Sequence, residues 1–242
     1  MKRRFLVSSL KKTTVLLDGE ETKHAKNVLR MKSGDPCELL DGEGTKAQGI
    51  LHFNGKNGTI EISKITQTPS DLIFQTETTP LHLLLSVLKT DAMTWALEKA
   101  VELGVRQITP IMTDYTVVHL QKKGPDFFQK RWQKIADQSL KQCERSYRMI
   151  IHPPQTFEES LVNHSKDVLF WGNERENQKT PLNQIMQHDP LYFFIGPEGG
   201  WSTDEIQALE RQATAISLGP LILRSETAVT AIATLARHLK KS

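Results

Sequence analysis

From residue 81 onward, short apolar runs alternate with helical segments, and this alternation leaves few possible architectures. The run 81–88 (LHLLLSVL) predicts a buried strand. A helical stripe follows and ends at Gly104; its members are Met93, Ala96, Leu97, Ala100 and Val101. Further strands are predicted at 108–112, 168–171, 192–196 and 215–219, and further helices at about 125–143, after Ser202 and at 227–239. Such alternation predicts an α/β domain with a mostly parallel sheet covered on both faces.

The first 70 or so residues show a different pattern. Residues 37–53 and 58–65 alternate or run apolar, with Asp-Gly and Asn-Gly turn signals between them. This pattern predicts a small barrel or sandwich. The stretch 66–80 is polar and contains two prolines, so we place a domain boundary there and predict domains of residues 1–72 and 73–242.

Composition narrows the class of protein. A net charge of +3, with 24% charged and 38% hydrophobic residues, is typical of a soluble globular protein. No apolar run approaches the roughly 20 residues of a membrane span, and the N-terminal apolar stretch is shorter than a signal-peptide core, so we expect a cytoplasmic protein. Cys37 and Cys143 form no C-x-x-C pair and the histidines lack ligand spacing, so no metal is expected.

A glycine-rich turn lies in the stretch 193–206, FFIGPEGGWSTDEI. It lacks the Lys-Ser/Thr of a P-loop and the spacing G-x-G-x-x-G. Ser202 and Glu205 have the spacing of a capping box, which places the turn between the carboxyl end of a strand and the start of a helix. Ligands of open α/β sheets bind at that position. The alternative is a tight turn without a ligand, in which Glu198 is only an exposed turn residue.

A second stretch, LGPLILRSETAVTAIA at 218–233, has apolar residues where a loop is expected. Aliphatic side chains beside open backbone groups suit a flat heteroaromatic ring such as adenine. Arg224 then precedes a predicted helix and could stabilise an oxyanion or bind a phosphate. Two alternatives are structural. Ile222 and Leu223 could pack into the core with Ser225 capping the helix, and Arg224 could form an ion pair with Glu226.

These two loops, together with KAVELGV (99–105) and QCERS (142–146), resemble bacterial small-subunit ribosomal RNA uracil-N3 methyltransferases of the knotted SPOUT class. The stretches RRFLV (3–7) and 24–44 are similar to the RNA-binding part of that family. The resemblance implies an N-terminal PUA-like β-barrel and a C-terminal SPOUT α/β domain, with a trefoil knot in about 168–235. It also implies a homodimer that binds S-adenosylmethionine.

The resemblance assigns candidate residues to each role. The candidate catalytic residues are Arg224 and Glu226, and Cys143 has no catalytic role. The cofactor-binding candidates from the two loops are Gly196, Glu198, Gly199, Gly200, Leu218, Gly219, Ile222 and Leu223, and the main chain after Phe170 would complete the pocket. The RNA-binding candidates are Arg3, Arg4, Arg30, Lys32, Gln142 and Arg145; the alternative for these clusters is a solvated surface.

The implied partner is 16S ribosomal RNA within the 30S subunit. Three positions depart from the family pattern: Tyr115 and Leu221 stand where arginines are usual, and Met149 where a proline is usual. Two other functions stay open. One is methylation of another base in ribosomal or transfer RNA, and the other is a non-catalytic RNA-binding assembly factor with the same fold.

Overall fold

The computed structural model describes residues 3–69, 79, 81–173, 185 and 188–239. The chain divides into two compact units. The first consists of Met1–Glu77 and Leu140–Arg148, and the second of Thr78–Ser139 and Met149–Ser242. The predicted boundary between residues 72 and 73 lies outside the described residues and stays a prediction. The presence of 140–148 in the first unit was not predicted.

A curled sheet forms the first unit. Its strands are β1 (Arg4–Leu6), β2 (Thr14–Leu16), β3 (Pro36–Leu40), β4 (Thr45–Asn54) and β5 (Asn57–Gln67), in the order β1-β3-β4-β5-β2. The β1–β3 pair is parallel and the other pairs are antiparallel. A short helix α1 (Gly19–Lys23) follows β2. Phe5, Leu39, Leu51 and Ile60 are fully buried in the core of this unit. The five strands confirm the prediction that this part of the chain is β-rich.

Segment 140–148 is fixed to this unit by ion pairs. Only 5% of the Arg4 side chain is exposed, and its guanidinium binds the carboxylates of Glu38 at 2.5 Å and Glu144 at 2.6 Å. Arg4 Nη1 also donates a hydrogen bond to the carbonyl oxygen of Lys141 at 3.0 Å. The ammonium group of Lys141 lies 2.6 Å from a carboxylate oxygen of Glu21. Since a buried charge requires partners, these contacts join the segment to β1, β3 and α1.

Parallel strands alternate with helices in the second unit. The strands are β6 (Leu81–Ser86), β7 (Gln107–Met112), β8 (Ile150–Ile151), β9 (Gln155–Thr156), β10 (Leu169–Gly172), β11 (Leu191–Ile195) and β12 (Ala213–Ile216). The helices are α2 (Thr90–Glu102), α3 (Pro125–Cys143), α4 (Phe157–Asn163), α5 (Thr203–Gln212) and α6 (Ser225–Leu239), and the part of α3 from Leu140 onward belongs to the first unit. The sheet order is β12-β10-β11-β6-β7-β8, with β9 also on β7, and every pair is parallel. The predicted parallel α/β sheet is confirmed.

Helices pack on both faces of this sheet. Leu84 and Phe194 pack with Phe157 of α4 and Leu209 of α5 in one core cluster. Helix α6 contacts β6, β11 and α2. The five residues predicted for the apolar stripe of α2 are the five that are buried, and Gly104 has the left-handed φ of +84° that follows a helix end. No described helix has the length and apolar character needed to cross a membrane.

Three histidines form a cluster in the second unit. The ring of His82 stacks on that of His152, with 5.2 Å between the ring centroids, and meets the ring of His164 edge-on at a centroid distance of 5.5 Å. The ring centroid of Tyr192 lies 5.1 Å from that of His82. His82 Nε2 is 2.8 Å from the hydroxyl of Thr109. Burial, with the neighbouring histidines, lowers the pKa of His82 to about 3. The cluster therefore holds His82 neutral at physiological pH.

Candidate active site

Three loops meet at the carboxyl edge of the sheet, because β10, β11 and β12 are parallel neighbours. Gly172 at the end of β10 pairs with Ile216 at the end of β12, and Trp171 pairs with Phe194 of β11. A cavity opens at this edge. The residues that line it come from the three strand ends, the loops after them and the start of α6: Gly172, Asn173, Ile195, Gly196, Pro197, Gly200, Trp201, Ile216, Leu218, Gly219, Leu221, Leu223, Ser225 and Ala228.

The glycine-rich turn is held in place by one buried carboxylate. The predicted capping box is confirmed: the Ser202 hydroxyl accepts from the Glu205 N–H, and Glu205 Oε2 accepts from the Ser202 N–H at 2.8 Å. The other oxygen, Glu205 Oε1, accepts from the N–H of Asp114 at 3.0 Å. Glu205 is only 4% exposed. Its carboxylate thus connects the turn, the start of α5 and the loop that follows β7.

The turn requires glycine at specific positions. A Cβ on Gly196 would lie 2.9 Å from the indole ring of Trp201, and a Cβ on Gly199 would lie 3.0 Å from the Cβ of Tyr115. Gly200 has open space around it but a φ of +75°, which L side chains rarely adopt. Gly196 is therefore needed for close approach and Gly200 for backbone conformation, while a side chain at position 199 would make a tight contact with Tyr115.

The apolar loop that follows β12 lies against the same cavity. The Ser217 hydroxyl donates to the carbonyl oxygen of Gly219 at 3.0 Å, and Gly219 has a φ of +143°. Ile222 is 81% exposed, so the alternative in which it packs into the core is wrong. The Ser225 hydroxyl donates to the carbonyl oxygen of Gly196 at 2.7 Å. This bond ties the first residue of α6 to the glycine turn.

A second cleft adjoins the cavity and shares Pro197, Gly200, Leu223 and Ser225 with it. Its other lining residues come from the start of α2, the glycine turn and the loop before α6: Lys89, Thr90, Asp91, Ala92, Trp95, Glu198, Gly199, Ile222, Arg224, Glu226 and Thr227.

Contacts within the cleft distinguish Glu198, which binds a backbone group, from Arg224, which is exposed. Glu198 Oε1 accepts from the N–H of Lys89 at 3.1 Å, so Glu198 satisfies a donor at the start of α2. Arg224 is exposed, and within the described residues no ion pair joins it to Glu226 or to another carboxylate. The guanidinium of Arg224 is thus available to a ligand in the cleft.

The structure brings the predicted cofactor-binding residues together in two groups. Gly196, Gly200, Leu218, Gly219 and Leu223 line the cavity, whereas Glu198, Gly199 and Ile222 line the adjoining cleft. The predicted catalytic residues, Arg224 and Glu226, also line that cleft. Their assignment to a cofactor or to catalysis stays a prediction.

Sequence reasoning missed several lining residues. Trp201 and Asn173 line the cavity, and Lys89 and Trp95 line the cleft. Trp201 directly follows the glycine turn, which was a usable signal. Trp95 lies off the apolar stripe of α2, and no local pattern distinguishes it from an ordinary surface residue.

The predicted RNA-binding residues differ in exposure. Arg30, Lys32 and Gln142 are exposed in the first unit. Arg4 and Arg145 are buried, which favours a structural role over the predicted phosphate contact. Their assignment to RNA stays untested.

Arg3 is partly exposed and forms an ion pair with Asp35. The N–H of Lys32 and the guanidinium of Arg3 hold the pKa of Asp35 below its ordinary value.

The three positions that depart from the family pattern differ in exposure: Met149 is buried, whereas Tyr115 is 50% and Leu221 74% exposed. Within the described residues, no group of three or more His, Cys, Asp or Glu side chains is arranged to hold a metal ion.

Family comparisons agree with this geometry. A family model described as an RNA methyltransferase domain matches residues 75–237, and one described as an RNA methyltransferase PUA domain matches residues 17–65. Two relatives, both called ribosomal RNA small subunit methyltransferase E, come from Mesomycoplasma hyopneumoniae and Buchnera aphidicola. The first is 34% identical over 93% of this chain and 94% of its own length, and the second is 31% identical over 93% and 89%.

Solved structures share the fold. A ribosomal RNA small subunit methyltransferase E from Neisseria gonorrhoeae, bound to S-adenosyl methionine, has a TM-score of 0.80 at 29% identity, covering 96% of this chain and 95% of that one. A methyltransferase fold from Legionella pneumophila has a TM-score of 0.87 at 24% identity, covering 98% and 97%. The chain belongs to the RNA methyltransferase family that includes these ribosomal RNA small subunit methyltransferase E proteins.

Proposed function

We propose that this chain is an S-adenosylmethionine-dependent methyltransferase that methylates N3 of a specific uridine in 16S ribosomal RNA within the 30S subunit. The observation that carries the proposal is the adjacency of two recesses at one edge of the sheet. One is a glycine- and leucine-lined cavity, and the other is a cleft that presents Arg224 and Glu226. Such an arrangement suits a donor in one recess and an acceptor base in the other.

The cavity fits the proposed cofactor. Gly196 and Trp201 both line the cavity, and the lack of a Cβ on Gly196 lets the indole lie directly against its main chain. Leu218 and Leu223 supply aliphatic walls for a flat adenine ring, whose edge the neighbouring main chain can recognise. S-adenosylmethionine would supply an electrophilic methyl group there. Gly200 and Gly219 would hold the loops around it in their left-handed conformations.

The cleft supplies charge where uracil methylation requires it. N3 of uracil must lose its proton, and the negative charge that develops spreads to the two carbonyl oxygens. Arg224 has only donors to offer and remains charged, so it stabilises that charge. The Glu226 carboxylate, which lines the same cleft, is our candidate to accept the proton.

The first unit would bind RNA through its exposed basic residues. Arg30 and Lys32 are available for phosphate contacts, and Gln142 can donate hydrogen bonds. The domain bounds of 1–72 and 73–242, and a trefoil knot in about 168–235, belong to the same proposal.

Two further parts of the proposal concern assembly. We assign a homodimer, supported by Leu221 and Ile222, whose side chains are exposed beside the cavity and would gain from burial against a second copy. Sedimentation at several protein concentrations tests this assignment. A cytoplasmic location follows from the ribosomal substrate.

The test of function is a methyl-transfer assay. Purified protein is incubated with radiolabelled S-adenosylmethionine and small ribosomal subunits from cells that lack the activity, and the labelled nucleoside is identified after digestion. We expect label in 3-methyluridine from the wild type and its loss in Arg224→Ala. The matched control is Arg211→Ala, which removes an exposed arginine of α5 outside both recesses.

Each other outcome supports a different function. Label in another nucleoside, or label only with transfer RNA, would indicate a sister methyltransferase. Tight binding of S-adenosylmethionine without label on subunits or naked RNA would indicate a non-catalytic assembly factor. Full activity in Arg224→Ala would remove Arg224 from the mechanism while leaving the reaction in place.

A further inference from the structure

The cleft beside the cofactor cavity contains one aromatic side chain among its described lining residues, Trp95. Trp95 lies on α2, away from the buried stripe of that helix, and is 41% exposed. Among the described residues, no other aromatic ring or cation packs against its indole. Part of the apolar surface of Trp95 is thus exposed at the cleft.

This position is unusual for a tryptophan with a purely structural role. Tryptophan carries the largest apolar surface of any side chain, and in a core it is usually packed by neighbours. The other three tryptophans are more buried: Trp171 and Trp132 are 2% and 5% exposed, and Trp201 is partly buried against a core cluster. Trp95 is instead 41% exposed and lines a cleft that Arg224 also lines.

We propose that Trp95 is the stacking platform for the RNA base that enters this cleft, which under the proposed function is the target uracil. A base that leaves its helix or loop stack loses contact on both faces, and an aromatic ring replaces part of it. Every nucleobase stacks on an indole, so Trp95 supplies affinity without choosing among bases. The inference rests on the proposed function for the identity of the base.

Arg224 adds the selection that stacking lacks. A guanidinium has five N–H donors and no acceptor, so it favours a base edge rich in carbonyl oxygens. Uracil presents carbonyl oxygens on both sides of N3, whereas cytosine and adenine present an amino donor on that edge. A flat ring and an exposed cation in one cleft together recognise a uracil-like base.

The test uses fluorescence and needs no catalysis. A short oligouridine is titrated into the protein in the presence of S-adenosylhomocysteine, and tryptophan emission is followed. We expect quenching in the wild type and its loss in Trp95→Phe, which keeps a ring but removes the indole fluorophore. In Trp95→Ala we expect the Kd for oligouridine, measured by anisotropy of a labelled strand, to rise roughly 5- to 100-fold.

Two controls separate stacking from misfolding. Phe127→Ala removes another exposed aromatic side chain, on α3 and outside the cleft, and should leave quenching and Kd unchanged. The Kd for S-adenosylhomocysteine, measured by calorimetry, should stay within about twofold in every variant, since Trp95 does not line the cofactor cavity.

Four results would overturn the inference. They are no quenching of the wild type by oligouridine, an unchanged Kd in Trp95→Ala, an unchanged KM for subunits in Trp95→Ala, and conversion of Trp95→Ala from dimer to monomer, which would assign the ring to an interface between copies. Failure of the proposed function is distinguishable from these. A wild type that methylates no RNA refutes that function whatever the quenching shows, and a Trp95→Ala enzyme with an unchanged KM for subunits refutes stacking alone.

Discussion

Replacing Glu205 by alanine should loosen the glycine turn and destabilise the second unit. The substitution deletes two hydrogen bonds from backbone N–H groups to a carboxylate, at 2.8 Å and 3.0 Å. Hydrogen bonds to charged groups contribute about 1.5–3 kcal/mol each. Because the two N–H groups recover some hydration in the variant, we expect a net loss of roughly 2–4 kcal/mol.

Urea or thermal unfolding measures this loss. For a protein of this size it corresponds to a fall in Tm of roughly 5–15 °C. Glu205→Gln keeps one acceptor oxygen and should lose about half as much. The Kd for S-adenosylmethionine should rise in parallel, since the released turn forms one wall of the cavity.

The matched control is Glu210→Ala, which removes an exposed carboxylate from the same helix and should change stability by less than about 0.5 kcal/mol. If Glu205→Ala and Glu210→Ala unfold together, the buried carboxylate does not hold the turn and the reasoning from these two bonds fails.

Three further sets of substitutions test separate parts of the structure. Gly196→Ala places a methyl group 2.9 Å from the neighbouring indole and should raise the Kd for S-adenosylmethionine at least about tenfold in calorimetry; unchanged binding would show that the ring yields freely. His82 stays neutral in the folded protein down to its pKa of about 3, but in the unfolded chain it takes up a proton below pH 6.5. The contribution of neutral His82 to the free energy of unfolding is therefore complete above pH 6.5 and is lost as the pH falls toward 3. At pH 5 the protonation of His82 in the unfolded chain lowers the free energy of unfolding by about 2 kcal/mol. The His82→Gln variant should show a smaller decrease between pH 7 and pH 5, whereas substitution of the exposed His119 by Gln should leave the decrease unchanged. Arg4→Ala should lower the free energy of unfolding of the first unit by about 3 kcal/mol. Lys32→Ala should leave that free energy unchanged but weaken RNA binding, with a salt dependence reduced by about one phosphate contact. Equal stability of the two variants would contradict the structural role of Arg4.

Much of this fold follows from local patterns. The stripe of α2, the capping box at Ser202 and the strand–turn–helix order around Gly196 depend on residues within a few positions of one another, and each was predictable. The family resemblance then named the loops that form the cavity. Local spacing sufficed wherever the determinants were local.

The remaining features depend on residues that are distant in sequence. The ion pair between Arg4 and Glu144 joins positions 140 residues apart, so no periodicity reveals that Arg4 is buried. Trp95 enters the cleft only because α2 begins beside the glycine turn. The burial of a charge and the membership of a cleft are properties of the assembled chain.

The presence of residues 140–148 in the first unit also sets an order of events during translation. Arg4 leaves the ribosome early, but its partner Glu144 is synthesised only after β6, α2, β7 and the whole of α3. The strands of the N-terminal sheet are complete at Gln67, so Arg4 has Glu38 but lacks its second carboxylate partner while residues 68–144 are synthesised. A nascent chain halted before residue 140 would hold an incomplete first unit, and release of the next few residues would close it.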